Sequence, residues 1–168
     1  AQLRQKKYDV SICNLNHEVL KYVYQNKEEE DFNFLETWQN IIIDHVDKFK
    51  PDVIGVSCLF SVTHNSFKKV CAFIKKNFPN VPLLIGGVHV SHDIYGVIND
   101  LEGVDLFSLF EGDKALPNLF EIINGERDIE ELAQFAFKDG KDIFIFEKRM
   151  VPDGNDMSIL PAYDIMDV

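Results

Sequence analysis

The chain has 168 residues, of which 46% are hydrophobic and 27% charged, a composition that fits one soluble domain with an appendage. Its three cysteines, Cys13, Cys58 and Cys71, form no CxxC pair, which argues against a disulfide framework and a cysteine-rich metal site. The net charge is −11, of which −10 falls in residues 101–168, so neither nucleic acid nor an anionic membrane is an expected partner.

The first fifty residues contain one strand-like and one helix-like segment. Residues 8–13 are β-prone and alternate in polarity, which predicts a strand. Residues 14–33 are polar, with an acidic run at 28–31, and predict a loop or an irregular insertion. Apolar residues at helical spacing predict a helix over 34–49. Pro51 marks its end, because the residue before a proline is disfavoured in the helical region.

The middle of the chain alternates strands and helices. The continuous apolar run 53–57 predicts a strand covered on both faces, which is typical of a parallel sheet. The polar loop 61–65 leads into a helix that ends before Pro79. A further strand is predicted over 81–85, and a short helix near 91–100.

In the last third of the chain the alternation continues and then stops. Residues 104–109 predict a strand, and the helix after it ends at Gly125, since glycine is favoured just past a helix end. Residues 135–137 and 143–146 flank a glycine-containing turn and predict a β-hairpin. Residues 148–168 contain prolines and a glycine with little periodicity, and predict a linking strap.

This order of elements predicts an α/β fold with a flavodoxin-like or Rossmann-like, doubly wound parallel sheet, followed by a C-terminal β-hairpin and strap. We expect an α/β domain over 1–125 and a hairpin with a linker over 126–168. The apolar residues from Met150 onward have no periodic pattern. We therefore expect the strap to pack weakly and deletion of 150–168 to have little effect on stability.

Three loops follow strands of the predicted parallel sheet, where α/β proteins bind ligands. They are 57–65, 86–92 and 110–113. Gly86 and Gly87 allow a ligand or another backbone to approach closely. Each loop also has a plain structural interpretation, namely a tight turn at the glycines and a helix cap at Thr63, Asn65 or Asp113.

The remaining patterns assign no catalytic or metal-binding residue. His89 and His92 are spaced i,i+3, but no carboxylate or cysteine of matching spacing accompanies them, so we predict no metal ligands. The dinucleotide-binding pattern GxGxxG does not occur. The spacing of serine, histidine and aspartate residues indicates no nucleophilic triad.

Three short motifs fall at the predicted strand ends. Residues 51–59 (PDVIGVSCL) contain SxL, residues 85–89 (IGGVH) contain GG, and GVD at 103–105 precedes FEG at 110–112. In this order and spacing they resemble the cobalamin-binding domain that precedes the radical SAM domain in many B12-dependent radical SAM enzymes. The hairpin and Leu160-Pro161 resemble the segment that joins the two domains.

The resemblance implies that cobalamin is the cofactor. Residues 57–63 would then line the lower face of the corrin, Gly86 and Gly87 would admit the nucleotide tail, and Glu111 and Gly112 would border the tail or the corrin edge. A side chain at either glycine is expected to weaken binding and to leave the fold intact. The implied cofactor-binding residues are Ser57, Cys58, Leu59, Ser61, Thr63, Gly86, Gly87, His89, Glu111 and Gly112.

The resemblance also implies what lies outside this sequence. The DxHxxG motif, whose histidine ligates cobalt in the wider family, does not occur, which implies cobalamin without a protein ligand to the metal. Residues 1–10 resemble the end of the family's first helix and its second strand, which implies a first strand upstream. Because no CxxxCxxC occurs, SAM and a [4Fe-4S] cluster are implied for a downstream radical SAM domain of the same polypeptide, and the fragment alone is not expected to be catalytic.

A second interpretation stays open, because this architecture hosts many functions. The chain would then be a flavodoxin-like binding or regulatory domain that binds no cobalamin. Retention of hydroxocobalamin separates the two. No signal peptide is visible and no apolar run reaches the roughly 18 residues of a membrane span, so we expect a cytoplasmic protein without a membrane partner.

Overall fold

The structure, a computed structural model, describes residues 1–26 and 33–165. The acidic run at 28–31, predicted to lie in a loop, falls outside the described residues. The chain forms two compact units, which we call the sheet unit and the helical unit. The sheet unit comprises Ala1–Tyr8 and Asp52–Leu160, and the helical unit comprises Asp9–Pro51 and Pro161–Val168. Among the described residues, no helix is both long and apolar enough to cross a membrane.

The sheet unit contains one five-stranded sheet whose strands follow the order of the chain. The strands are β1 (Ile54–Ser57), β2 (Leu83–Gly86), β3 (Leu106–Ser108), β4 (Phe135–Asp139) and β5 (Asp142–Phe146). The first three are parallel, β4 is antiparallel to β3, and β4 and β5 form a hairpin. The α/β fold and the hairpin are therefore confirmed. The sheet is mixed, since the hairpin extends it across the predicted boundary at residue 125, and that boundary stays a prediction.

Helices connect the parallel strands as the sequence predicts, and further helices precede the first strand and follow the last. In chain order they are α1 (Gln2–Gln5), α2 (Leu15–Gln25), α3 (Phe34–Phe49), α4 (His64–Asn77), α5 (Val88–His92), α6 (Ile94–Asp100), α7 (Gly112–Ile123) and α8 (Gly154–Met157). The short helix predicted near 91–100 is two helices that meet at Asp93. The Asp93 carboxylate accepts a hydrogen bond from the backbone N–H of Gly96 and so caps α6.

The core is centred on β2. Leu83 and Ile85 are fully buried and Leu84 is nearly so, so β2 is covered on both faces. The sequence predicts such a strand at residues 53–57, and there the prediction is wrong, because β1 is only half-buried. Among the described strands β1 pairs with β2 alone, and an edge strand has one neighbour fewer to cover it. A cluster on the α7 side of the sheet comprises Leu84, Ala115, Leu119, Leu132 and Phe135.

Residues 8–13 form no strand in the structure, so that prediction is wrong. The alternating pattern shows only that the segment suits a pleated surface, whereas a strand exists through pairing with a neighbour. Tyr8 instead packs its ring on Phe120 of α7, with 5.1 Å between ring centroids. Its hydroxyl accepts a hydrogen bond from Asn124 Nδ2 at 2.9 Å.

The helical unit contains α2 and α3, which pack against each other. The predicted loop is therefore wrong for α2, which begins after Asn14, whose side chain accepts a hydrogen bond from the N–H of His17 at 3.3 Å. Helix α3 is confirmed. It begins after Asn33, whose side chain caps its first turn, and ends at Lys50, which adopts the left-handed conformation with φ 53°.

The strap after the hairpin is held by a buried amide. The Gln134 side chain is fully buried, and its Nε2 donates hydrogen bonds to the carbonyl oxygens of Leu109 and Glu111, each at 3.0 Å. Its Oε1 accepts a hydrogen bond from the backbone N–H of Met150. One side chain therefore satisfies three backbone groups and joins β4 to the loop after β3 and to the strap.

A second attachment involves α7 and α8. Lys114 Nζ lies 3.3 Å from Asp153 Oδ2 and 2.9 Å from Asp156 Oδ2. Residues 150–156 therefore make polar contacts that the sequence analysis did not predict, because sequence periodicity reports apolar packing and not polar contacts, and the small effect of deleting 150–168 stays a prediction. The large apolar side chains of the strap are exposed, namely Val151, Met157, Leu160 and Tyr163.

Replacing Gln134 by methionine tests the buried amide. The variant keeps the volume but leaves three backbone groups without their side-chain partner, so we expect it to lower the free energy of unfolding by about 1–3 kcal/mol. Urea denaturation measures the change. Lys138→Met, at an exposed position of β4, is the control and should change stability by no more than about 0.5 kcal/mol. Equal effects of the two variants would contradict the role of Gln134.

Glu121 of α7 lies between two cations and links α1 to α7. Lys6 Nζ lies 2.8 Å from Glu121 Oε1, and Arg127 Nε lies 2.6 Å from Oε2. Hydrogen bonds from Lys6 and then from Arg127 hold the pKa of the Glu121 carboxyl below its usual range.

This lowered pKa predicts a pH-dependent contribution to stability. The ion pairs stabilise the folded chain above the pKa of an unfolded glutamate, about 4.3, and the stabilisation is lost as the pH falls through the lower, folded-state pKa. Glu121→Gln should therefore destabilise the protein at neutral pH and match the wild type in acid. Urea denaturation across this pH range measures the difference. Glu130→Gln should show no pH-dependent difference in the free energy of unfolding from the wild type. A difference for Glu121→Gln that is the same at every pH would contradict the assignment.

Candidate functional site

The carboxyl ends of β1, β2 and β3 meet at one edge of the sheet, because the three strands are parallel. We call this the carboxyl edge. Ser57, the last residue of β1, is in register with Gly86, the last residue of β2. Gly86 in turn lies close to Ser108, the last residue of β3, since a Cβ at Gly86 would be 3.3 Å from the Ser108 Cβ. The three predicted ligand loops leave from this edge.

The first two loops are joined through their backbones. The N–H of Cys58 donates to the Gly86 carbonyl at 2.9 Å, and the Cys58 carbonyl accepts from the N–H of His89 at 3.3 Å. Gly87 has φ +105°, and a Cβ there would lie 2.3 Å from the Cys58 oxygen. The expectation that a side chain at Gly87 leaves the fold intact is therefore wrong, because another backbone fills that space. A role of the glycines in admitting a nucleotide tail stays a prediction.

Large apolar side chains are exposed on all three loops of the carboxyl edge. We call them the apolar row. Their exposed fractions are 57% for Leu59, 65% for Phe60, 91% for Val62, 67% for Val88 and 44% for Phe110. Exposed apolar side chains that gather on neighbouring loops are typical of a surface that a ligand or a partner covers.

Four polar side chains form a hydrogen-bonded chain that begins at Ser61 in the first loop, and we call it the histidine relay. Ser61 Oγ lies 3.0 Å from His89 Nδ1, and His89 Nε2 lies 2.8 Å from His64 Nδ1. His64 Nε2 lies 2.8 Å from Asp100 Oδ2. His89 is 7% exposed, whereas Asp100 lies at the surface. In the part of the chain that the structure describes, no three histidine, cysteine, aspartate or glutamate side chains are grouped to hold a metal ion.

The third loop is tied to the strap and to the second loop. Arg149 Nη2 lies 2.8 Å and 3.0 Å from the two carboxylate oxygens of Glu111, and the guanidinium lies 4.7 Å from the centroid of the Phe110 ring. The hydrogen bond from Arg149 lowers the pKa of the Glu111 carboxyl. The N–H of Phe110 donates to Ser91 Oγ at 2.7 Å. The loops of β2 and β3 are therefore held together.

The helix-cap interpretations of these loops are wrong. Thr63 Oγ1 donates to the carbonyl of Phe60 at 2.7 Å and lies 3.4 Å from Cys58 Sγ, so it does not cap α4. Asn65 lies inside α4, and Asp113 lies in the first turn of α7, which has no side-chain cap.

The structure brings together some predicted residues and adds others. Ser61 and His89 are in contact, and the backbone of Cys58 contacts Gly87, as described above. Glu111 is paired with Arg149, which the sequence analysis did not identify. His64 and Asp100 were missed as well, because they lie 36 positions apart and only the fold brings them together.

A groove of about 430 Å³ lies at the opposite, amino edge of the same strands. Apolar residues make up most of its lining, which includes Val53, Pro82, Leu106, Leu119 and Phe120. Asp105 at this edge accepts hydrogen bonds from the N–H of Leu83 at 2.7 Å and from Lys75 Nζ at 3.0 Å. The groove therefore offers volume, whereas the carboxyl edge combines apolar surface with a set of converging polar groups.

Comparison with known protein families identifies the family of this chain. The sequence profile of the B12 binding domain family matches residues 1–120, more than half of the chain. The chain belongs to the B12-binding domain family. No curated protein sequence matches it.

Solved structures show the same fold. The chain matches the radical S-adenosylmethionine methyltransferase TsrM from Kitasatospora setae, solved with cobalamin and a [4Fe-4S] cluster, with a TM-score of 0.66 and 13% identity. It also matches the cobalamin-dependent S-adenosylmethionine radical enzyme OxsB, solved with aqua-cobalamin and S-adenosylmethionine, with a TM-score of 0.56 and 20% identity. These matches cover 92% and 67% of this chain, and only 26% and 16% of the TsrM and OxsB chains.

Gly87→Ala tests the backbone contact at the carboxyl edge of this B12-binding domain. The new Cβ would meet the Cys58 oxygen, and the alanine would have to adopt a positive φ. We therefore expect a loss of about 1–3 kcal/mol in the free energy of unfolding. Urea denaturation measures it. Gly55→Ala in β1, where a Cβ meets nothing within 4 Å, is the matched control and should have a small effect. Full stability of Gly87→Ala would contradict the contact.

Proposed function

We propose that this B12-binding domain binds cobalamin at its carboxyl edge and presents it to a radical SAM domain of the same polypeptide. The observation that carries the proposal is the apolar row, five large exposed side chains on three adjacent strand-end loops. A corrin is a broad, flat ligand with apolar faces and a polar rim, and a surface of this kind would bury one such face. The family membership and the cobalamin-bound TsrM and OxsB structures support the choice of ligand.

The polar groups of the edge suit the rim of such a ligand. Ser57 and Ser61 are exposed at the first loop, and Glu111 lies at the third loop with its carboxylate fixed by Arg149. These groups would bind and orient the amide side chains of the corrin rim. Cobalamin itself supplies the organometallic chemistry when bound, and the protein supplies binding and orientation.

No histidine of the relay is available as a ligand to cobalt. Both ring nitrogens of His89 and both of His64 are engaged in hydrogen bonds of 2.8–3.0 Å. Ligation by either ring would break one of these bonds, which stabilise buried polar groups. The arrangement supports cobalamin binding without a protein ligand to the metal.

The strap supports the direction of the proposed domain contact. Arg149, at the start of the strap, is paired with Glu111 at the carboxyl edge, so the strap begins beside the proposed cofactor site. SAM and the [4Fe-4S] cluster would be bound by the radical SAM domain, and the cytoplasm is the proposed compartment. This part of the proposal rests on the resemblance of the chain to one portion of much longer enzymes.

Binding of hydroxocobalamin tests the proposed function. The chain, incubated with hydroxocobalamin and desalted, should retain the red chromophore. Val62→Glu should raise the Kd by about tenfold or more, because it removes apolar area and places a charge under the corrin. Since Val62 is 91% exposed, its stability should be unchanged.

Ile129→Glu provides the matched control. Ile129 is 57% exposed and lies after α7, away from the carboxyl edge, so the same change of charge and apolar area should leave the Kd unchanged. Loss of the chromophore from the wild-type chain on desalting would contradict cobalamin binding and favour a flavodoxin-like domain with another ligand. Equal effects of the two variants would contradict the apolar row as the binding surface.

A further inference from the structure

We infer that the histidine relay sets the hydrogen-bonding polarity of Ser61 towards the ligand, and that uptake of one proton reverses it. The inference rests on the proposed function for the identity of the ligand only. It follows from the order of the four groups, Ser61, His89, His64 and Asp100, and from what each of their atoms can donate.

The position of every proton in the neutral relay is fixed from its surface end. An ionised Asp100 can only accept, so His64 carries its proton on Nε2 and its Nδ1 is an acceptor. His89 must then donate through Nε2, which leaves its Nδ1 as an acceptor. Ser61 therefore donates its hydroxyl proton inward to His89, and only its lone pairs face the ligand.

One added proton changes the outer end of the relay. If His64 becomes doubly protonated, its Nδ1 donates to His89 Nε2, and the proton of His89 moves to Nδ1, from which it donates to Ser61. If His89 takes the charge instead, its Nδ1 also carries a proton. In both cases Ser61 becomes the acceptor of this hydrogen bond, and its own O–H is free to donate to the ligand.

The structure favours the charge on His64. His64 contacts the carboxylate of Asp100 directly, whereas His89 is buried and contacts a hydroxyl and another imidazole. Lys68, also on α4, is a further charged group at this end of the relay, and its Nζ lies 2.6 Å from Asp100 Oδ1. Hydrogen bonds from Lys68 and then His64 hold the pKa of Asp100 below its usual range, so this end of the relay stays an acceptor. His64 Nδ1 and His89 Nε2 are 2.8 Å apart, so two charged rings would repel each other. The pair therefore takes up only one proton.

This arrangement gives the exposed hydroxyl two states. At pH values above the midpoint of this proton uptake, Ser61 offers an oxygen acceptor to the ligand. Below the midpoint it offers a hydroxyl donor. His89 and His64 are thus positioning residues for Ser61 and need not touch the ligand. Any ligand with a donor or an acceptor against Ser61 would bind with a pH dependence that originates at the His64–His89 pair and not at Ser61 itself.

Nitrogen-15 NMR of histidine-labelled protein tests the relay without a ligand. Between about pH 9 and about pH 5, where histidines titrate, His64 should become doubly protonated while His89 stays neutral and changes from the Nε2–H to the Nδ1–H tautomer at the same midpoint. Asp100→Asn should move this midpoint to lower pH, because the cation loses its partner. Glu102→Gln, which removes an exposed carboxylate two residues further on, should move it much less. An Nε2–H tautomer of His89 at all pH values, or two protons taken up, would overturn the relay.

Hydroxocobalamin binding tests the connection to the ligand. The Kd of the wild-type chain should change by about 2- to 12-fold across the NMR midpoint, the size of one net hydrogen bond. Ser61→Ala, which retains the ligand's own pH dependence, should lack this change. Identical pH profiles of the wild type and Ser61→Ala would overturn the role of the relay while leaving the proposed function intact. If hydroxocobalamin fails to bind at any pH, the proposed function fails, and the NMR titration alone decides the relay.

Discussion

The close approach of the Cys58 backbone to Gly87 sets the geometry of the carboxyl edge. The Cys58 carbonyl accepts the N–H of His89, and the Cys58 N–H donates to Gly86, so the first loop is held against the second along three residues. Only a glycine at 87 permits this, since any side chain would meet the Cys58 oxygen. The position of the His89 ring, and therefore its contact with Ser61, follows from this approach.

The carboxyl edge combines two kinds of group. The apolar row is exposed and is formed by side chains of all three strand-end loops. The polar side chains of the histidine relay satisfy one another. A ligand that covers the apolar row would therefore bury apolar area while the relay keeps its hydrogen bonds, which is the favourable way to combine both kinds of group at a binding site. The pairing of Glu111 with Arg149 extends the same organisation to the strap.

The sequence predicted well those features that depend on local pattern. The buried run of β2, the amphipathic helix α3 and the hairpin turn at Gly140 each carry their signal within a few neighbouring residues. The strand predicted at residues 8–13 is absent because a strand depends on a neighbouring strand to pair with as well as on β-propensity. Helix α2 was missed because its polar composition hid the Asn14 cap that begins it.

The site was predictable only in part, for the same reason. The strand ends and Gly87 could be located by motif, but the atom that requires the glycine, the Cys58 oxygen, lies in another loop. The relay joins His64 to His89 across 25 positions and to Asp100 across 36, and no spacing rule connects them. Long-range polar contacts of this kind appear only after the fold has placed the chain.

Mapping of backbone amide shifts on addition of hydroxocobalamin locates the cobalamin site without any substitution. We expect shifts confined to the carboxyl edge, at residues 58–63, 87–92 and 110–112. Shifts centred on the groove at the amino edge, around Val53 and Leu106, would contradict the assignment of the carboxyl edge as the cobalamin site, and so would the absence of any shift at saturating hydroxocobalamin.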